Sequence, residues 1–144
     1  MRSLFDASFL IALIDQDHNY YDEAIAWFVE HSGDGWASCC LTENAAVRIL
    51  SNPNYSKVKR FTPLQISDTI NRFIKATDHE FWPSDISITD TSIFSHDRIL
   101  GPKQVTDIYL LAMAAERIGC LVSYDQRISL DAVRNARPEH LVVI

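Results

Sequence analysis

Cysteine is scarce, and the little there is forms no framework. Cys39, Cys40 and Cys120 are an odd set with no C-x-x-C spacing, which argues against a disulfide scaffold and against a zinc site. Cys39 and Cys40 read as small buried residues. The five histidines, at 18, 31, 79, 96 and 140, include no His-x-x-x-His pair, so zinc-hydrolase chemistry is not indicated. No apolar run approaches the roughly 18 residues needed to span a bilayer. The opening Met1-Arg2-Ser3-Leu4-Phe5-Asp6 meets an acid at once and lacks the apolar stretch and cleavage site of a signal peptide. A cytoplasmic location with no membrane partner is therefore expected. Linkers rich in Pro, Gly or Ser, internal repeats and low-complexity tracts are also missing. With 144 residues, the chain is expected to form a single domain over 1–144. A basic excess is lacking as well. The net charge of −6 has the opposite sign to the usual footprint of a nucleic-acid binder. Nucleic acid stays open only if part of that charge forms a cation site, or if a partner protein supplies basic surface.

What is present is an alternation of short apolar runs with amphipathic segments. Ser3-Leu4-Phe5, Trp36-Ala37-Ser38, Glu80-Phe81-Trp82, Cys120-Leu121-Val122-Ser123 and Leu141-Val142-Val143-Ile144 read as strands. Helices are expected over Ala7 to Ile14, Tyr20 to His31, Leu41 to Leu50, Pro63 to Thr77 and Thr106 to Arg117, and the stretch 83–104 reads as loop. The Tyr20, Trp27 and Phe28 stripe fits core or dimer surface better than a base-stacking platform. Strands that are apolar throughout and alternate with helices indicate an α/β fold around a central, mainly parallel sheet.

Four acids fall at equivalent places on this map. Asp6 follows the first strand. Glu43 lies in the first turn of the helix after the second. Asp107 opens its helix, and Asp125 stands two residues beyond the Cys120–Ser123 strand. In an open parallel sheet, strand C-termini and the helix N-termini after them share one edge, where ligands bind. Singly, these residues read as a cap, as helix-dipole partners worth about 0.3–1 kcal/mol, and as a turn residue. Together they read as a cation site, because crowded carboxylates repel and resist ionising. Oxygen-only donors select hard ions, Mg²⁺ or Mn²⁺, and such ions suit phosphodiester hydrolysis. Ser8, Thr106 and Asn44 are candidate supporting residues: Ser8 and Thr106 through hydrogen bonds to carboxylates or water, Asn44 through the scissile phosphate, although Asn44 reads equally as an ordinary helix-start residue. Thr106 reads equally as a helix cap.

Four segments in this order resemble the PIN-domain family, and within it VapC-type toxins. They are Leu4-Phe5-Asp6-Ala7-Ser8, the run from Leu41-Thr42-Glu43-Asn44 to Ser51-Asn52-Pro53, Val105-Thr106-Asp107-Ile108, and Ser123-Tyr124-Asp125-Gln126-Arg127. Ser123 stands where many relatives have Thr, so the hydroxyl is kept. The resemblance spans essentially the whole chain. It implies a three-layer α/β/α PIN-like fold, a Mg²⁺- or Mn²⁺-dependent endoribonuclease with Asp6, Glu43, Asp107 and Asp125 as catalytic and metal-holding acids, and a toxin role in a type II toxin–antitoxin pair. It also implies an RNA substrate, a VapB-like antitoxin partner and a homodimer. The alternative is a binding module that keeps the fold and mainly engages a partner protein. A phosphatase of the haloacid dehalogenase type needs a second Asp two residues after Asp6, where Ser8 stands.

Overall fold

Side-chain alternation along three-residue strands decides which helices cover which face. The computed structural model describes residues 1–144. Five strands, β1 (Ser3–Phe5), β2 (Trp36–Ser38), β3 (His79–Phe81), β4 (Cys120–Ser123) and β5 (Leu141–Val143), form one sheet in the order β3-β2-β1-β4-β5. Every neighbouring pair is parallel. Leu4, Ala37 and Leu121 point to one face and pack with Phe94, Ile108 and Leu111. Phe5, Trp36 and Val122 point to the other and pack with Phe9, Ala46 and Ile66. The sheet is thus covered on both sides, which is why its strands carry so little polar alternation.

Parallel neighbours need crossovers, and helices supply most of them. α1 (Ala7–Ile14) and α2 (Tyr21–His31) connect β1 to β2, α3 (Cys40–Leu50) and α4 (Pro63–Ala76) connect β2 to β3, and α5 (Val105–Glu116) leads into β4. α1, α3 and α4 cover the Phe5 face and α5 the Leu4 face, giving a three-layer α/β/α architecture. Local chemistry sets the helix starts. Asp6 caps α1 by accepting the Phe9 amide. Thr62 and Gln65 form a reciprocal capping box at α4, with Pro63 at its first position.

Several local expectations change. α5 begins at Val105, fed directly by a 3-10 turn over Pro102–Gln104, so Gln104 holds the N-cap position and Thr106 lies inside the first turn, exposed. Cys39 is fully buried as the N-cap of α3, but the chain turns there and leaves Cys40 exposed. β3 is one residue earlier than expected. Trp82 lies just past β3, its amide still donating to the Ser38 carbonyl, and its side chain is buried beside α5 with the indole N–H donating to Glu80. Residues 83–104 are not bare loop. Phe94 is fully buried and bridges to Val133, while Ile86, Ile88, Ile93 and Ile99 pack against the α5 core. In the aromatic stripe, Phe5 meets the Trp27 and Phe28 rings edge-on, and exposed Tyr20 stacks on Tyr124. No helix is long and apolar enough to cross a membrane.

Candidate active site

The chain leaves β1 towards β2 on one side and returns to pair β4 on the other, so the winding direction reverses between β1 and β4. Such a switch point opens a crevice at the strand C-termini. Asp6 lies directly after β1, and its amide donates to the Val122 carbonyl on β4. Its side chain is only 5% exposed and takes three donors. The Phe9 amide lies 2.7 Å from Oδ1, Ser8 Oγ lies 2.8 and 3.0 Å from the two oxygens, and Ser123 Oγ lies 2.5 Å from Oδ2. Burial pushes the Asp6 carboxyl above the usual carboxylate range, against the pull of these hydrogen bonds, and the charge of Asp125 pushes it further.

Ser123 links two of the acids. Its single proton goes to Asp6, and its oxygen accepts the Asp125 amide at 3.0 Å. Asp125 is held by Arg127 through paired contacts of 3.0 Å and through the Arg127 amide at 2.8 Å. Those hydrogen bonds lower its carboxyl below the usual range. Asp107, in the first turn of α5, is pushed up to about 6, first by burial and then by the charges of Asp6 and Asp125, with Arg127 pulling the other way. Asp6, Asp107 and Asp125 therefore share one field.

Glu43 is wired differently. It lies in the first turn of α3, and the charges that act on Asp6 and Asp107 do not include its own. Its Oε1 accepts the Ser38 hydroxyl at 2.5 Å, and Ser38 Oγ is 2.7 Å from His79 Nε2. Beyond it, Val47, Ser67, Ile70, Asn71 and Ile74 line a hollow of about 220 Å³ between α3 and α4. Asn44 is exposed on α3. Thr106 faces a mainly apolar hollow of about 380 Å³ shared with Cys40, Leu41, Ile86, Ile88 and Tyr109. Sequence reasoning passed over Ser38, His79 and Arg127. Arg127 was readable, two residues from Asp125. Ser38 ends its strand as Ser123 ends another. His79 gave no signal.

No family model matches the chain. Ribonuclease VapC44 of Mycobacterium tuberculosis is 40% identical over 147 aligned positions, covering 100% of both chains. The chain belongs to the VapC family of PIN-domain ribonuclease toxins. Ribonuclease VapC39 of the same organism is 34% identical over 125 residues, covering 87% of this chain and 89% of that one. Ribonuclease VapC38 is 30% identical across 99% of each. Among solved structures, VapBC2 from Rickettsia felis, bound to a DNA fragment from their promoter, matches 88% of this chain and 90% of that one at a TM-score of 0.50 and 12% identity, a likeness of fold.

The donor set of this VapC-family site suits a hard divalent cation. Asp6, Asp107 and Asp125 offer carboxylate oxygens only, and burial, with a smaller push from one another's charge, raises Asp6 and Asp107. As they lie, no three carboxylate, imidazole or thiol groups converge to cage an ion. Mg²⁺ does not require that, since one or two carboxylates and several waters suffice.

Proposed function

We propose that this chain is the toxin of a type II toxin–antitoxin pair, a Mg²⁺- or Mn²⁺-dependent endoribonuclease that hydrolyses RNA phosphodiester bonds in the cytoplasm. The observation that carries the reading is the field around Asp107. Its carboxyl is raised to about 6 by burial and by two neighbouring carboxylates at the switch point of the sheet, an arrangement that a divalent cation relieves. It also accounts for part of a net charge that otherwise repels RNA.

Asp6 and Asp107 would hold the ion, with Asp125 and Glu43 completing the acid set. When bound, such an ion activates water, clamps the phosphate and offsets charge in the transition state. The rest is done by the chain. Ser8, Ser123 and the Phe9 amide fix the Asp6 carboxylate from three directions. Arg127 keeps Asp125 ionised and holds it against the turn. Asp107 holds a proton below about pH 6 and is a carboxylate above it. The partner we assign is a VapB-like antitoxin, on the strength of the family and of the VapBC2 fold neighbour. A homodimer is the assembly implied by the same membership.

The test is RNA cleavage by purified protein across a Mg²⁺ and Mn²⁺ titration. Asp6→Ala and Asp107→Ala are expected to lose cleavage while keeping the fold, and EDTA is expected to stop the wild type until metal is restored. Cleavage by Asp107→Ala at the wild-type rate, or undiminished cleavage in EDTA, sinks the mechanism. Antitoxin binding without cleavage under any metal condition supports the binding-module reading instead.

A further inference from the structure

Ser38 is fully buried at the end of β2, with one hydroxyl proton and two polar neighbours. Glu43 Oε1 lies at 2.5 Å and His79 Nε2 at 2.7 Å from its oxygen. A carboxylate only accepts, so the proton goes to Glu43 and the Ser38 oxygen is left to accept. His79 must then present its N–H at Nε2. The imidazole is not free to turn away. It pairs with Trp36 in the β2–β3 register, and the two ring centroids are 4.4 Å apart. Trp36 is itself buried and anchored through its indole N–H to Thr77 at 2.8 Å. Partial burial, with Arg2 nearby, holds the ring below the usual histidine range and so favours the neutral form, in which one nitrogen alone carries hydrogen.

We propose that His79 is a positioning residue for the nuclease site: through the Ser38 hydroxyl, its Nε2–H fixes which way Glu43 presents its carboxylate. Glu43 is held through Oε1, and its Oε2 takes no hydrogen bond from the chain. The role rests on the reading of Glu43 as one of the site acids. Ser123 serves Asp6 in the same way, with a backbone amide where Glu43 depends on an imidazole.

Two substitutions separate this role from packing. The side-chain nitrogen of Gln can occupy the place of Nε2, whereas that of Asn reaches only the place of Nδ1. His79→Asn is expected to lose up to roughly 10-fold in cleavage or in apparent metal affinity, the low end of the range for groups that bond a metal ligand directly, because His79 acts through Ser38, and His79→Gln is expected to recover most of it. Ring ¹⁵N NMR of the metal-free protein gives a readout independent of activity. Wild-type His79 is expected as the Nε2–H tautomer, and Glu43→Ala, which releases the Ser38 proton, is expected to shift it towards Nδ1–H. An Nδ1–H tautomer in the wild type, or equal cleavage by the Asn and Gln variants while Glu43→Ala is inactive, overturns the role of His79 alone. Wild-type cleavage by Glu43→Ala overturns the assigned role of Glu43 and this one with it.

Discussion

Two buried serine hydroxyls, Ser123 at the end of β4 and Ser38 at the end of β2, do the same job in unequal surroundings. Each donates to a carboxylate and accepts an N–H. Ser123 works between the central strands, on an Asp6 that is almost wholly buried and has two further donors. Ser38 works beside the sheet edge, on a partly exposed Glu43 that has no second donor, through a histidine on the outermost strand. Donor count and burial pull in opposite directions at Asp6, and burial wins, since the carboxyl is raised despite three hydrogen bonds. The centre is preorganised at the cost of an acid that resists ionising. The edge is held by a single thread, and water can stand in for part of it.

That contrast sets the size of the expected effects. Ser123→Ala should be the most costly, since it leaves a buried carboxyl short of a donor and frees the Asp125 amide. A loss of about 2 kcal/mol is expected, seen as a fall in Tm of roughly 6–10 °C. Ser38→Ala should cost about half as much, because solvent reaches both of its partners. Equal losses in thermal melts would break the distinction between centre and edge.

Asp107→Asn probes the field itself. A carboxyl raised from 3.8 to about 6 on folding favours the protonated state. Its contribution is fully present below pH 4 and is lost as pH rises through 6, so at pH 8 the ionised wild type bears a penalty that Asn lacks. Discounted for the partial exposure of Asp107, this amounts to roughly 1 kcal/mol. The metal-free variant should melt about 3–5 °C higher than wild type at pH 8 and no higher at pH 4. A gain that does not change with pH would assign the effect to packing instead. The smallest change is expected for Arg127→Gln. Its ion pair with Asp125 is exposed on the arginine side and screened by solvent, so the melting temperature should barely move. The Asp107 carboxyl should nevertheless titrate higher by NMR, because the one opposing charge acting on it has gone.

The strands, the parallel sheet and the placement of Asp6, Asp107 and Asp125 were legible because they rest on local patterns. Apolar runs bounded by turns mark buried strands, and an acid directly after a strand falls on the ligand edge whatever else the chain does. What stayed hidden depends on distant partners. His79 meets Ser38 across 41 residues, and nothing near His79 marks it. Phe94 and its neighbouring isoleucines sit in no regular period, so a segment that closes the α5 core read as loop. Thr106 looked like a cap because Ser and Thr often are. The 3-10 turn at Pro102–Gln104 moved the true start forward. Cys39 and Cys40 looked alike because composition does not say on which residue a strand hands over to a helix.

The hydroxyl that secures Asp6 arrives 117 residues after it. During synthesis the first strand, its acid and the helix it caps emerge early, and the chain up to α4 can begin to collapse around them. Through all of that time β1 lacks β4 on one side, and the carboxylate lacks its Ser123 donor. Asp107 and Asp125 are also still to come. If these acids cut RNA as proposed, a growing chain has no half-built version of the centre, and a truncated product ending before β4 is expected to leave RNA uncut in a cleavage assay. On the proposed assignment of the acids, their wide separation along the chain would act as a timer, holding the activity back until almost the whole polypeptide has been made.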